Sequence, residues 1–407
     1  VVRIPLLLGF DARHHLAYVE LIRERHALPL ATDGWSTFHP PLFYTVAAGL
    51  LAFGEQALRV LPFIAGLGCV FVAHSLAGRL APGDRRVALL AVAFAAVLPV
   101  NLYSAAYFTN ETLHALLASL ALLATVDALL APDVSLPRAV AVGAWLGLAV
   151  LTKFTALALA PVALLFLACK LVAVDRAPWR ETLRVTGLAA AALLVVAGWY
   201  YARNVWHFGV PILGNWGRMP GADQAWWQQP GFHTWAYYTG FGEVLRHGYF
   251  AGFVSLWDGA YSSFWADGLI AGRGTPSYRH TFWNYDFMSA GILLALPLSA
   301  LLALGGAITL RGAFASPDPH RRAVHAFELT ALYALLYAFA TLTLSLPFFS
   351  QAKASYLVPL LLPLALLFGR GVDAVDRRLV RVGPLARGVF AGAVASGLAC
   401  LWLGFAG

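Results

Sequence analysis

Asp11 stands just past a short hydrophobic stub, in the run Gly9-Phe10-Asp11-Ala12-Arg13-His14-His15. It opens a polar stretch that ends in His39-Pro40-Pro41-Leu42-Phe43-Tyr44. Other ionisable residues recur at the mouths of apolar runs. Glu111 lies in Thr109-Asn110-Glu111-Thr112 and Lys153 in Leu151-Thr152-Lys153-Phe154; Arg203 follows Tyr200-Tyr201-Ala202, and Lys353 precedes Ala354-Ser355-Tyr356. A charge beside hydrocarbon costs several kcal/mol unless it is paired or hydrated, so such residues mark a polar cavity. Any one of them alone reads equally well as a side chain snorkelling to the interface. Together, two acids and several cations are the set needed to take a proton from an acceptor while holding an anionic leaving group.

The elements that position these residues follow from composition. Of 407 residues, 60% are hydrophobic and 12% charged, against about 25% charged in soluble domains. Half that charge cannot cover a water-facing surface, so the solvent is largely lipid. Apolar runs fall at 57–79, 87–103, 111–131, 139–152, 155–172, 185–202, 287–310, 324–346, 355–369 and 388–406. They are far longer than the ~10-residue alternating strands of a membrane barrel. The length accommodates roughly ten or eleven spans of ~20 residues and one long loop. The expected fold is an all-α polytopic membrane protein, a single domain over 1–407 with membrane-parallel helices in its outer loops. The chain begins Val1-Val2-Arg3, and the start of a first span is expected to lie before this numbering.

Sixteen of the Lys and Arg residues sit in short connections around 79–86, 138, 170–184, 311–322 and 370–387, and eleven are spread over much longer intervening sequence. Positive residues in short loops mark the cytoplasmic side. The first outer loop 9–56, the large loop 204–286 and the turns near 104–110, 153 and 347–354 therefore face outward, and the candidate site opens on the extracytoplasmic face of the cytoplasmic membrane. The same distribution accounts for the net charge of +8 without a nucleic-acid partner. Cys69, Cys169 and Cys400 lie in apolar runs with no paired spacing and no nearby His cluster, as small packing residues do.

The 204–286 loop is dense in aromatics: Trp206, Trp216, Trp226, Trp227, Trp235, Tyr237, Tyr238, Trp257, Tyr261, Trp265, Trp283 and Tyr285. An interfacial belt and short helices walling a cavity both account for them. No transporter-like internal repeat is visible.

Several pieces occur together in the order of one known group. The acid in Phe10-Asp11, the run His39-Pro40-Pro41-Leu42-Phe43-Tyr44 (resembling HPPLYY), Leu58-Arg59-Val60-Leu61-Pro62 (LRLPS), Thr109-Asn110-Glu111 (TNE), Leu151-Thr152-Lys153 (LTK), Tyr200-Tyr201-Ala202-Arg203-Asn204 (WYxRN) and Lys353-Ala354-Ser355-Tyr356-Leu357-Val358-Pro359 follow one another over about residues 9–370. In this the chain resembles polyprenyl-phosphate-sugar-dependent glycosyltransferases of the GT-C superfold, the group of the dolichyl-phosphate-mannose protein mannosyltransferases and the lipid A aminoarabinose transferase.

The resemblance implies a GT-C fold and transfer of a sugar from a lipid-linked donor to a protein, lipid or glycan acceptor, with inversion. It implies Asp11 as catalytic base and Glu111 as second acid. Arg203 and Lys353, with Lys153, would neutralise the lipid phosphate at one point, and His39 and Tyr356 would line the pocket. No nucleotide-binding fingerprint is required, because the donor enters from the bilayer. Many relatives carry Asp-Glu at the first motif, where this chain has Asp11-Ala12 followed by Arg13. The missing carboxylate disfavours a divalent metal there, and no cofactor is expected. The same Ala12 motivates a second reading, an inactive accessory subunit of a membrane complex. A lipid transporter is a third, disfavoured by charges clustered at one face.

Overall fold

The computed structural model describes residues 4–81, 84–215, 234–269, 283–346 and 352–406. Among these residues every regular element is helical. Two helices, α1 (Ala12–Arg25) and α2 (Leu42–Leu50), lie in the 9–56 loop. Then come α3 (Val60–Leu80), α4 (Arg85–Val97), α5 (Pro99–Ala106), α6 (Glu111–Leu130), α7 (Leu136–Thr152), α8 (Leu159–Cys169), α9 (Trp179–Leu193) and α10 (Trp199–Phe208). After the short α11 (Trp235–Thr239) and α12 (Leu256–Trp265) the chain closes with α13 (Tyr285–Ala315), α14 (Pro319–Ser345), α15 (Leu361–Leu379) and α16 (Pro384–Leu403).

By length and composition eight described helices suffice to cross a membrane, nine with the bent pair α4–α5. At 17 residues, α7 supplies the tenth of the expected apolar runs. The expected single run 87–103 is broken by 47° between α4 and α5. Leu98 is extended and Pro99 starts the new helix, since proline lacks an N–H and pushes its predecessor out of the helical region. The break points α5 and the turn after it back toward α6.

α6 packs between α3 and α7, and α15 lies against α13 and α4. Lipid gives helices no hydrophobic drive to associate, so close packing at small residues holds them. A Cβ at Gly305 would strike the carbonyl of Leu367, and one at Gly371 that of Leu301; glycine lets α13 and α15 touch backbone to backbone.

Two of the arginine-rich connections, around 84–86 and 373–387, meet at one end of this bundle. Asp376 pairs with Arg86 and with Arg387 at 2.9 Å, and Arg377 bridges Asp84 at 2.8 Å and Asp373 at 2.6 Å. Within the membrane Arg370 reaches Glu328 and Thr309, both at 2.7 Å. These two connections, which arginine placement assigns to one face, thus lie at the same end. Cys69 and Cys400 are buried, but Cys169 is exposed on α8; it is not a packing residue.

Candidate active site

The 9–56 loop approaches the site through its backbone. Gly9 has φ 121°, and a Cβ there would collide with the Tyr107 ring, so the chain passes flush over the residue that follows α5. Phe10 lies under the ammonium of Lys353, 4.4 Å from Nζ to ring centroid. Asp11 is left-handed (φ 56°) at the start of α1, makes no capping bond and is exposed. Asp is one of the few side chains that tolerate this region, and the turn frees its carboxylate from the helix it begins.

Opposite stands a buried charged group. Glu111 opens α6, where the helix N-terminus favours an anion, and pairs with Lys153 at the end of α7. Its second oxygen, Oε2, has no partner among the described residues. Lys153 lies 4.5 Å and Lys353 4.9 Å from the centroid of the same Tyr356 ring. The two ammonium groups are therefore at most 9.4 Å apart, the sum of those distances. Burial lowers the Lys153 pKa against the opposing pull of Glu111. For Lys353 burial acts the same way, but Tyr356, Asp11 and Glu111 outweigh it and the net shift is upward. Lys353 is held as a cation.

Behind Asp11 and around His39 lie residues that do not stand out in the sequence. His15, one turn along α1, is hydrogen-bonded through Nδ1 to the Tyr44 hydroxyl at 2.8 Å, and its ring is 5.8 Å from that of His39. Burial brings the His15 pKa down to about 4 against the Asp11 carboxylate, so it is neutral at ordinary pH. His39 is likewise held well below its ordinary value by burial, with His15 and the two lysines adding to the effect. Asp267, also buried, accepts from the Tyr107 hydroxyl and from Trp283 Nε1 at 3.0 Å. Tyr103 donates to the Ser263 carbonyl at 2.6 Å. These bonds lock α5 to α12, and Ser263 in turn accepts from the Ala354 N–H at 2.8 Å, beside Lys353.

Arg203 stands elsewhere. Its Nη2 donates to the carbonyls of Leu28 (2.9 Å) and Pro29 (3.1 Å), while Tyr200 in the same helix donates to those of Phe38 (3.1 Å) and His39 (3.2 Å). The structure therefore gathers Asp11, Glu111, Lys153, Lys353, His39 and Tyr356, while Arg203 grips the loop that carries His39. Lys353 has Lys153, not Arg203, as its neighbouring cation.

The aromatics of the large loop divide. Trp206, Trp235 and Trp257 are exposed; Trp265, Trp283 and Tyr237 are buried. Trp216, Trp226 and Trp227 lie outside the described residues, as does the turn 347–351. Among the described residues no three His, Cys, Asp or Glu side chains form a metal-holding group.

With this geometry in place, three comparisons bear on the chain. The family described as dolichyl-phosphate-mannose-protein mannosyltransferase matches residues 38–201, a stretch holding His39, Glu111 and Lys153 but not Asp11, Arg203 or Lys353. ArnT from Cupriavidus metallidurans bound to undecaprenyl phosphate matches at 18% identity and TM-score 0.51, over 98% of this chain and 73% of that one. The archaeal oligosaccharyltransferase AglB from Archaeoglobus fulgidus, in complex with an inhibitory peptide and a dolichol-phosphate, matches at 16% identity and TM-score 0.56. That match covers 98% of this chain and 52% of AglB, so the chain spans about half its length. No curated protein matches by sequence. At these identities the likeness is one of fold: the chain has the GT-C architecture.

Proposed function

We propose that this protein transfers a sugar from a polyprenyl-phosphate donor to an acceptor hydroxyl or amide on the extracytoplasmic face of the membrane, inverting the anomeric centre. The observation that carries the reading is the meeting of an exposed acid with two buried ammonium groups that share one aromatic ring. Asp11 takes the acceptor proton as its oxygen or nitrogen attacks the anomeric carbon. The bond from that carbon to the phosphate oxygen breaks, and its electron pair stays on the phosphate. Lys353 and Lys153 stabilise the charge that develops there. Glu111 keeps Lys153 protonated inside the protein and holds a second oxygen with no partner among the described residues. Tyr356 offers its ring to both cations, and His39 lines the wall. Arg203 acts as a positioning residue through the loop carbonyls. The fold relatives solved with undecaprenyl phosphate and with a dolichol-phosphate support a lipid donor, and the arginine bias of the short loops supports the outward orientation.

The test is Asp11→Asn, which keeps shape and backbone preference but removes the proton acceptor. General-base catalysis contributes about 10²–10⁴-fold. Transfer by the purified variant should fall by that factor while binding of a polyprenyl-phosphate sugar is retained; transfer within a few-fold of the parent would remove Asp11 from the role.

A further inference from the structure

At the arginine-rich end of the bundle, far along α6 from Glu111, a cavity of about 580 Å³ lies between α3, α6 and α7. Its size is within the range of small-molecule sites, and its chemistry is graded along the helix axes. At the mouth stand Arg79, paired with Asp127, and Arg138. Seven residues deeper on α6 and on α7 stand Leu120 and Trp145, which is about 10 Å at 1.5 Å per residue. The floor side chains are half-buried rather than sealed in the core.

We propose that this groove is a binding site for an anionic phospholipid of that leaflet, its phosphodiester between the two arginines and one acyl chain along the Leu120–Trp145 floor. Three features favour this occupant. Among the lining residues, two arginines against one aspartate leave one net positive charge, which a zwitterionic headgroup does not match. Both guanidiniums keep donors to spare: Arg79 uses Nε on Asp127 and Nη1 on the Ser75 carbonyl (2.9 Å), and Arg138 uses Nη1 on the Asp133 carbonyl (3.2 Å). Arginine is suited to bidentate phosphate binding. The apolar floor is of no use to inorganic phosphate, and its depth follows the path of a lipid tail. The site is at the opposite end of α6 from the proposed transfer chemistry and does not depend on it.

The experiment uses the purified full chain, delipidated in neutral detergent, with binding of phosphatidylglycerol and phosphatidylcholine of equal acyl chains read by native mass spectrometry. Phosphatidylglycerol should be retained several-fold better. Arg138→Ala should weaken it about fivefold, the factor for one cation at a charged headgroup. Arg79→Ala should cost more, because it leaves Asp127 unneutralised at the mouth. Asp127→Asn should tighten binding, an outcome that a merely damaged groove does not give. Arg322→Ala, exposed on the same face but outside the cavity, should change nothing. Equal retention of the two lipids, an equal loss in Arg322→Ala, weakening in Asp127→Asn, or a polyprenyl phosphate as the species that Arg138→Ala releases would each overturn the assignment. Asp11→Asn should bind the lipid as the parent does, which separates failure here from failure of the transfer reading.

Discussion

At the scale of single residues the site is an exercise in keeping charge inside a low-dielectric wall. Removing one member of a buried ion pair costs about 3–5 kcal/mol, because the survivor is left uncompensated. Glu111→Gln should therefore lower the thermal unfolding midpoint markedly. Glu111→Gln with Lys153→Met should recover most of that loss without recovering transfer. A double variant no more stable than the single one would show that the pair is not the buried unit described. His15 supplies a pH dependence. The unfolded chain takes up its proton below pH 6.5, whereas the folded protein resists until about pH 4. Stability is thus full above pH 6.5 and falls on acidification through that window, by about 3 kcal/mol in all. Unfolding midpoints between pH 7 and 4.5 should drop less steeply in His15→Gln than in the parent; identical slopes would place the sensitivity elsewhere. Asp11, Glu111, Lys153 and Lys353 were legible in the sequence because a charge beside an apolar run stands out. His15, Tyr44 and Asp267 were not, since their partners are set by tertiary packing: Tyr44 is 29 residues from His15, and Tyr107 160 from Asp267.

At the scale of elements the instructive helix is α10. Its motif reads as a cation carrier for the site, and in the structure it clamps the 9–56 loop. Motif order carries no information on which way a guanidinium turns. The clamp predicts that Tyr200→Phe, which strips the carbonyls of Phe38 and His39 of one donor, loosens the loop by about 1–3 kcal/mol. Hydrogen exchange at the Asp33 and His39 amides should quicken accordingly, while donor affinity shifts only a few-fold. A variant that leaves exchange unchanged yet loses the donor would return this helix to the binding machinery. The α4–α5 break was foreshadowed by Pro99, but hydropathy read the run 87–103 as continuous, since both halves are apolar. Its consequence is local: without the bend, Tyr103 and Tyr107 would not turn toward α12.

For the whole molecule, the charge asymmetry of the loops divides the connections between two faces, and the ion pairs of Arg86, Arg377 and Arg387 join two connections assigned to the same one. Which face meets the cytoplasm is decided by labelling. In a cysteine-free background, His247→Cys and Val382→Cys sit at exposed positions of the large loop and of the α15–α16 connection. An impermeant maleimide added to intact cells should modify the first and spare the second; the reverse would invert the topology. The two lysines at the Tyr356 ring carry one further implication, about turnover. A sugar phosphodiester arrives with a single negative charge, whereas the monoester left behind titrates to nearly two, with its second ionisation near pH 6. Cations placed to ease departure of the sugar therefore hold the spent carrier more tightly than the fresh one. Under the proposed chemistry the first turnover should be faster than those that follow, with a burst of product and a steady rate set by lipid exchange, and mild acidification should shrink the gap by discharging the spent phosphate.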